Sequence, residues 1–452
     1  MSEIEIVDRQ TLAQNSLRSA MDFHSSGNLE YAQREYTRVL ATDYRAADVL
    51  PLLAGIVAER GDIDLALYYW NKLLDIQPDH LVGLLKKGGL LHGLSKFDEA
   101  AHCFRVAKGV APTNTVVRNN LAAALSAAGR KDEALVEFSE LLLLQPGNID
   151  ARHQFRRLAA AIVPFWHAAM MNDTERNDAF EKAILRAVEL RGAQAQVLDI
   201  GTGSGLLSMM AARAGAEHIV TCEIVPAIAR AAEKIIAANG YGAAVTVVCG
   251  SSTDVSVGQD LPRRADILVS EILSSDLLAE DVLSTFEDAR SRLLHEDAIV
   301  IPRRATAIGC LAASDTLSKF AHVGEVSGFD VSSFNSLAPQ RLPLHGAMTE
   351  WTRLSDDFEL VSLDLAAAAH PPGLRKVSIP VQADGVAVGV VQWLSVELID
   401  DIVFSNHPDD RREGHWLQML HTFPEPVPVR AGEELQLVVG HDRTSIVVAP
   451  AR

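Results

Sequence analysis

Apolar residues follow three rhythms along this chain, and the changes of rhythm divide it. In the first third they repeat as columns. Gly27, Gly61, Ser95 and Gly129 lie 34 residues apart, Ala32, Ala66, Ala100 and Ala134 stand five further on, and Tyr36, Trp70, Phe104 and Phe138 four beyond those. Ala20, Ala54, Gly88 and Ala122 keep the same register upstream, and Pro78, Pro112 and Pro146 close the last three units. In the middle third, short apolar runs (QVLDI, HIVTCE, AVTVVCG, ADILVSE) alternate with helical segments such as LLSMMAARAG. That alternation predicts an α/β domain. From residue 303 the alternating runs ELVSLDL, KVSIPVQ, VAVGVVQWLSVEL, HWLQMLHTF and ELQLVVGH, separated by turn residues, predict a mainly β module.

The columns of the first third suit one helix pair per unit. A small residue on the first helix and alanine on the second let two backbones approach, the aromatic fills the gap between units, and proline ends the second helix. One pair cannot bury its apolar face alone, so the units must stack. The period and its positions resemble the tetratricopeptide repeat, which implies an α-helical solenoid over 1–148 that binds a protein or peptide partner. A rigid spacer is the blander alternative. IDARHQFRRLAAAIV (149–163) reads as an amphipathic helix capping the stack.

Composition narrows the classes. With 452 residues, 48% apolar and 22% charged, the chain is a globular protein of two or three domains. A formal charge of −18 argues against a nucleic-acid partner and suits a cationic one, such as an Arg-rich peptide. The start MSEIEIVDRQ lacks the pattern of a signal peptide, and no apolar run predicts a membrane span. Cys103, Cys222, Cys249 and Cys310 are far apart, without metal-ligand spacing. Reduced thiols, a cytoplasmic location and no metal are the expectations.

Candidate chemistry gathers at the ends of the middle strands. QVLDI runs into Gly201-Thr202-Gly203-Ser204-Gly205, a strand-to-helix turn where a ligand can lie against bare backbone. The spacing GxGxG differs from the GxGxxG of dinucleotide sites. Glu223 ends the second strand, where a carboxylate can hold both ribose hydroxyls, and Asp254 follows the third, placed for an adenine edge. An acid at any single strand end could be only a helix cap. Together they resemble the S-adenosylmethionine-dependent methyltransferase fold, which implies that cofactor and a role for Asp199 in orienting the loop.

The fourth strand leads into Ser270-Glu271 and, nine residues on, Glu280. With WHAAMMNDTERN (166–177) upstream, Pro302-Arg303-Arg304-Ala305 and Gly328-Phe329-Asp330 between, and Gly414-His415-Trp416-Leu417-Gln418 downstream, residues 160–452 resemble the protein arginine methyltransferases. The chemistry suits the pair: two carboxylates can grip a planar guanidinium and aim one nitrogen at a sulfonium methyl. The resemblance implies that Glu271 and Glu280 hold the acceptor and that Arg176 pairs with the methionine carboxylate of the cofactor. It implies that Asp173 bonds His415, as base or as brace, that Trp416 walls the arginine channel, and that Met170 packs near the methylated nitrogen. His167, Asp199, Gly201, Gly203, Gly205, Glu223 and Asp254 would line the cofactor site. The implied domains are a Rossmann-like methyltransferase domain (149–302) and a β-barrel-like module (303–452). The family's tandem branches, one with N-terminal repeats, look nearest. Room for one module suggests a homodimer with an arm near 320–350. Gly414 stands where the family usually has threonine, and no Tyr-Phe-x-x-Tyr motif precedes Trp166. A small-molecule methyltransferase of this fold and a repeat scaffold without turnover are the rival readings.

Overall fold

The computed structural model describes residues 3–163, 166–410 and 414–451. The chain forms two compact units, Met1–Val163 and Pro164–Arg452.

The first unit consists of α1 (Glu3–Ser25), α2 (Leu29–Leu40), α3 (Ala46–Glu59), α4 (Ile63–Ile76), α5 (Leu81–Gly93), α6 (Phe97–Val110), α7 (Thr115–Ala127), α8 (Lys131–Leu144) and α9 (Ile149–Ile162). Consecutive helices pack as antiparallel pairs, α1 on α2 through α7 on α8, and each pair packs on the next. The columns explain the packing. Ala20, Ala54, Gly88 and Ala122 are buried, as are Ala32, Ala66, Ala100 and Ala134. At Gly88 a β-carbon would lie 2.6 Å from the Phe104 ring, so the absence of a side chain is what admits the aromatic. Gly27, Gly61 and Gly129 adopt positive φ between paired helices, and Ser95 takes the same conformation at φ 59°. Asn148 caps α9 through the Ala151 amide at 2.9 Å, and α9 packs on α8. The capping helix therefore belongs to the repeat unit, which ends at Val163 rather than at 148.

The second unit opens with α10 (Trp166–Asn172) and α11 (Thr174–Arg191). Then come β1 (Gln196–Ile200), α12 (Leu206–Arg213), β2 (His218–Glu223), α13 (Pro226–Ala238), β3 (Val245–Cys249), β4 (Ala265–Ser270), α14 (Val282–Arg292) and β5 (Leu294–Ile301). The five strands form a parallel sheet in the order β3-β2-β1-β4-β5. Every residue of β1 is buried, as a central parallel strand requires. The chain winds outward from β1 in both directions, so a crevice opens at the carboxyl ends of β1, β2 and β4.

From β6 (Arg304–Ala313) onward the structure is an antiparallel, barrel-like pair of sheets. β6 pairs along its length with the strand Gly385–Ile399, which continues to Met419–Val429 and Arg341–Pro343. A second sheet joins Gly373–Pro380, Glu434–His441 and Ile446–Pro450. The run expected to begin a strand at His415 does so only at Met419. Its first residues bond to the segment after β4 instead: the Trp416 indole donates to the Leu273 carbonyl and the Leu417 amide to Ser275 Oγ. One continuous core holds Leu198 and Ile267 of the parallel sheet together with Ala305, Leu394 and Trp416 of the barrel. The two modules divided at 302 thus form one compact unit.

Candidate active site

Three glycines shape the crevice. Gly201, Gly203 and Gly205 have φ of 89°, 51° and 82°, values that residues with a β-carbon rarely adopt. A β-carbon on Gly201 would lie 2.8 Å from Ile272 and one on Gly205 2.8 Å from Ile236, while Gly203 faces open space. Glu223 fixes the turn from the neighbouring strand: one oxygen accepts the Gly203 amide at 3.1 Å, the other the Val225 amide at 2.9 Å. Each oxygen keeps a second lone pair for a ligand hydroxyl. Asp199, at 1% exposure, accepts from Ser208 at 2.5 Å and Thr221 at 3.1 Å through one oxygen. Its other oxygen is buried without a partner, and burial pushes the carboxyl up to about 6.

A second cluster is built on Asp173, Arg176 and Glu271. Asp173 caps α11 by accepting the Arg176 amide at 3.0 Å. Its other oxygen accepts the His415 amide at 3.2 Å and lies 3.0 Å from His415 Nδ1. Burial raises Asp173, but the bonds from His415 and Arg176 outweigh it, so the carboxyl sits below its ordinary value. Burial lowers His415 from its ordinary value against the opposing pull of Asp173, and its Nε2 is buried and unpartnered. Arg176 forms an ion pair with Glu271 in which both side chains are 3% exposed. Its guanidinium also bonds Asn177 at 2.9 Å and stands 5.1 Å over the Phe180 ring, while its Nε finds no partner. Burial, with Glu280 and Asp173 adding to it, pushes Glu271 up to about 7 against the pull of Arg176.

Glu280 ends the segment at φ 64°, after Leu277 at 71° and before Asp281 at 56°. Glu280 is exposed as a residue, yet partial desolvation of its carboxyl, with Asp276 and Glu223 nearby, raises it above the ordinary value. Glu223 and Glu271 at the strand ends, Asp173 and Arg176 at the start of α11, and Glu280 and His415 from loops thus share one electrostatic neighbourhood. His167 on α10 joins them: its ring is lowered by burial and pulled the other way by Glu223, and its Nδ1 is buried without a partner. The unsatisfied Asp199 Oδ1, Arg176 Nε and His167 Nδ1, with the open Gly203, fit an adenosyl amino-acid cofactor, whose hydroxyls and charged ends supply such partners.

The remaining predicted residues lie in the core, on the loop after β3 and on α10. Trp416 is buried, with its ring 5.3 Å from Phe404, and its indole bonds the start of the 271–280 segment from the core. Asp254 is exposed on the loop after β3, and Met170 is half-buried on α10. A β-carbon at Gly414 would sit 3.4 Å from Asp173 Oδ2, so this position touches the Asp173–His415 pair. Sequence reasoning missed Ser208, Thr221, Asp276, Gln392 and Arg341, whose roles depend on folding. Among the described residues no group of His, Cys, Asp and Glu could hold a metal, and no helix is long and apolar enough to cross a membrane.

Comparison with known proteins follows this architecture. Residues 311–447 match the family model described as the arginine methyltransferase oligomerization subdomain, and residues 182–301 that of the ribosomal protein L11 methyltransferase. An arginine N(omega)-methyltransferase of Streptomyces achromogenes subsp. streptozoticus is 39% identical over 347 residues, covering 75% of this chain and 94% of that protein. Protein arginine N-methyltransferase 7 of Drosophila ananassae is 30% identical over 323 residues, 61% of this chain and 46% of that protein; the chain spans about half the length of that relative. In fold, the chain is similar to the Trypanosoma brucei PRMT1 enzyme–prozyme heterotetrameric complex with AdoHcy, with a TM-score of 0.54, 22% identity, and coverage of 62% of this chain and 89% of the other.

Proposed function

The chain belongs to the protein arginine methyltransferase family, and from that premise we propose that it transfers the methyl group of S-adenosylmethionine to a terminal guanidinium nitrogen of a protein-bound arginine. The observation that carries the reading is the Arg176–Glu271 ion pair at the end of β4. Glu271 is there engaged by the protein's own guanidinium, in a crevice that the glycine turn opens to a cofactor.

The bound cofactor supplies an electrophilic sulfonium methyl. Glu223 would hold the ribose, Arg176 the amino-acid carboxylate, and Asp199, His167 and the three glycines would line the remaining surface. Glu271 and Glu280 would accept from the acceptor guanidinium, orient its terminal nitrogen and localise its lone pair. The guanidinium loses one proton in the transfer. His415 would receive it at Nε2, the ring nitrogen opposite the one that faces Asp173. Burial of Glu271, at 3% exposure, would keep water from competing on its side of the guanidinium, while Glu280 would reach the acceptor from the exposed rim.

The repeat array would recruit the protein that carries the arginine. The segment 320–337 would form a homodimer arm: Phe320, Val326, Phe329, Phe334 and Leu337 are all exposed there, and it lies within the region matched to the oligomerization subdomain. A second reading, free arginine as acceptor, draws support from the Streptomyces relative, which aligns over 94% of its own length and is named for arginine without reference to protein. Incubation with methyl-labelled cofactor, an Arg-rich peptide and free L-arginine in parallel separates the readings. Label on the peptide supports the first, label on the amino acid alone supports the second, and label on neither refutes both.

A further inference from the structure

The turn between Glu271 and Glu280 is anchored from the barrel. Asp276 Oδ1 accepts the Ser274 hydroxyl at 2.8 Å and the Ala279 amide at 3.2 Å, which closes the turn on itself. Its other oxygen receives the Arg341 guanidinium at 3.0 Å. Arg341 lies on the short strand Arg341–Pro343, paired in register with His421. His421 is buried, and its Nε2 lies 2.6 Å from Gln392 Oε1. The Gln392 amide in turn donates to the Ser275 carbonyl at 3.1 Å, and the Leu417 amide donates to the Ser275 hydroxyl at 3.0 Å. Residues 275 and 276 are thus held by donors from two strands of one antiparallel sheet and from Leu417, just before a third strand.

The turn needs such support. Leu277 and Glu280, neither of them glycine, both have left-handed backbones, at φ 71° and 64°. Residues in that region persist only when their surroundings over-determine them. Without the outer anchors the turn can relax, and Glu280 moves with it.

We infer that Asp276 and Arg341 are positioning residues for arginine methylation: their ion pair sets the turn from which the Glu280 carboxylate meets the acceptor. The inference rests on the two-glutamate reading above. Neither residue touches the cofactor crevice, where Arg176, Glu223 and the glycines lie. The pair is partly exposed, with side chains at 32% and 21%, so its contribution to global stability is small. Its effect is geometric, and a geometric effect on a reacting centre is large: a shift of about 1 Å can cost about 100-fold in rate.

The test compares Arg341→Ala, Asp276→Asn, the double variant, Arg341→Lys and Glu280→Gln in the full chain, with S-adenosylmethionine and an Arg-rich peptide as substrates. Arg341→Ala and Asp276→Asn should each lower kcat roughly tenfold or more, while cofactor Kd stays within about twofold. The melting temperature should hold. The double variant should be no worse than the poorer single, because both act through one contact, and Arg341→Lys should recover part of the loss. Wild-type kcat in both singles overturns the inference. So do losses matched by weakened cofactor binding and lowered melting temperature, and so do additive losses in the double variant. If Glu280→Gln is inactive while Arg341→Ala is unimpaired, the two-glutamate reading stands and this inference alone falls. If Glu280→Gln keeps turnover, both fall.

Discussion

Glutamine at either glutamate of the hairpin should abolish most turnover, yet the two variants should differ in stability, and that difference follows from what each carboxylate touches. Glu271 and Arg176 form a buried pair, each 3% exposed. Breaking such a pair costs about 3–5 kcal/mol because a cation is left buried without compensation; glutamine keeps one acceptor oxygen, so we take the lower end, about 3 kcal/mol. At roughly 2–4 °C per kcal/mol for a large domain, Glu271→Gln should lower Tm by roughly 6–12 °C. It should also weaken cofactor binding, since Arg176 loses its anchor. Glu280 has no ion-pair partner among the described residues and is crowded by Asp276 and Glu223. Removing its charge relieves repulsion, so Tm should hold or rise. Both variants lose a charge-assisted bond to the acceptor worth about 1.5–3 kcal/mol. With misalignment added, kcat/KM should fall roughly 100-fold or more in each. Scanning fluorimetry and initial-rate kinetics with the Arg-rich peptide decide the matter. Equal Tm losses in the two variants, or near wild-type turnover in Glu280→Gln, would refute the reasoning.

Further outcomes follow. Because Glu271 is raised to about 7 from an ordinary value of 4.5, kcat/KM should fall as pH drops below about 7. Deleting residues 1–163, a unit with its own core, should leave cofactor binding intact and reduce methylation of a protein substrate more than of a short peptide; equal losses on both substrates would contradict recruitment. Phe329→Asp with Leu337→Asp should shift the protein from dimer to monomer in light scattering, and an unchanged mass would remove the arm from the interface.

Much of this architecture was legible in the chain because its constraints are local or periodic. The 34-residue columns reappear as buried contacts, as where Gly88 admits Phe104, and the GxGxG turn reappears with all three glycines at positive φ. Strand ends told where Glu223 and Glu271 stand because a parallel strand is a buried apolar run with a sharp end. What was not legible joins distant residues. Arg176 and Glu271 are 95 positions apart and were assigned to different ligands, yet they meet as an ion pair. Arg341 and Asp276 are 65 apart, and no motif marks either. Trp416 has the alternation of a strand, but its indole bonds the Leu273 carbonyl 143 positions away. The helix over 149–162 was legible as the cap of the stack from its amphipathic pattern, and its packing on α8 puts the boundary of the unit at Val163 rather than at 148.

The central claim is that the two glutamates present an arginine guanidinium to the methyl group of the cofactor. The most direct measurement is transfer of labelled methyl from S-adenosylmethionine to an Arg-rich peptide and to the same peptide with lysine at the target position, with fragmentation mass spectrometry to place the label. The account predicts label on a terminal guanidinium nitrogen of the arginine peptide and none on the lysine peptide, because an ammonium cannot match the planar fork that two carboxylates grip. Equal labelling of lysine, or label on any other side chain, would contradict it.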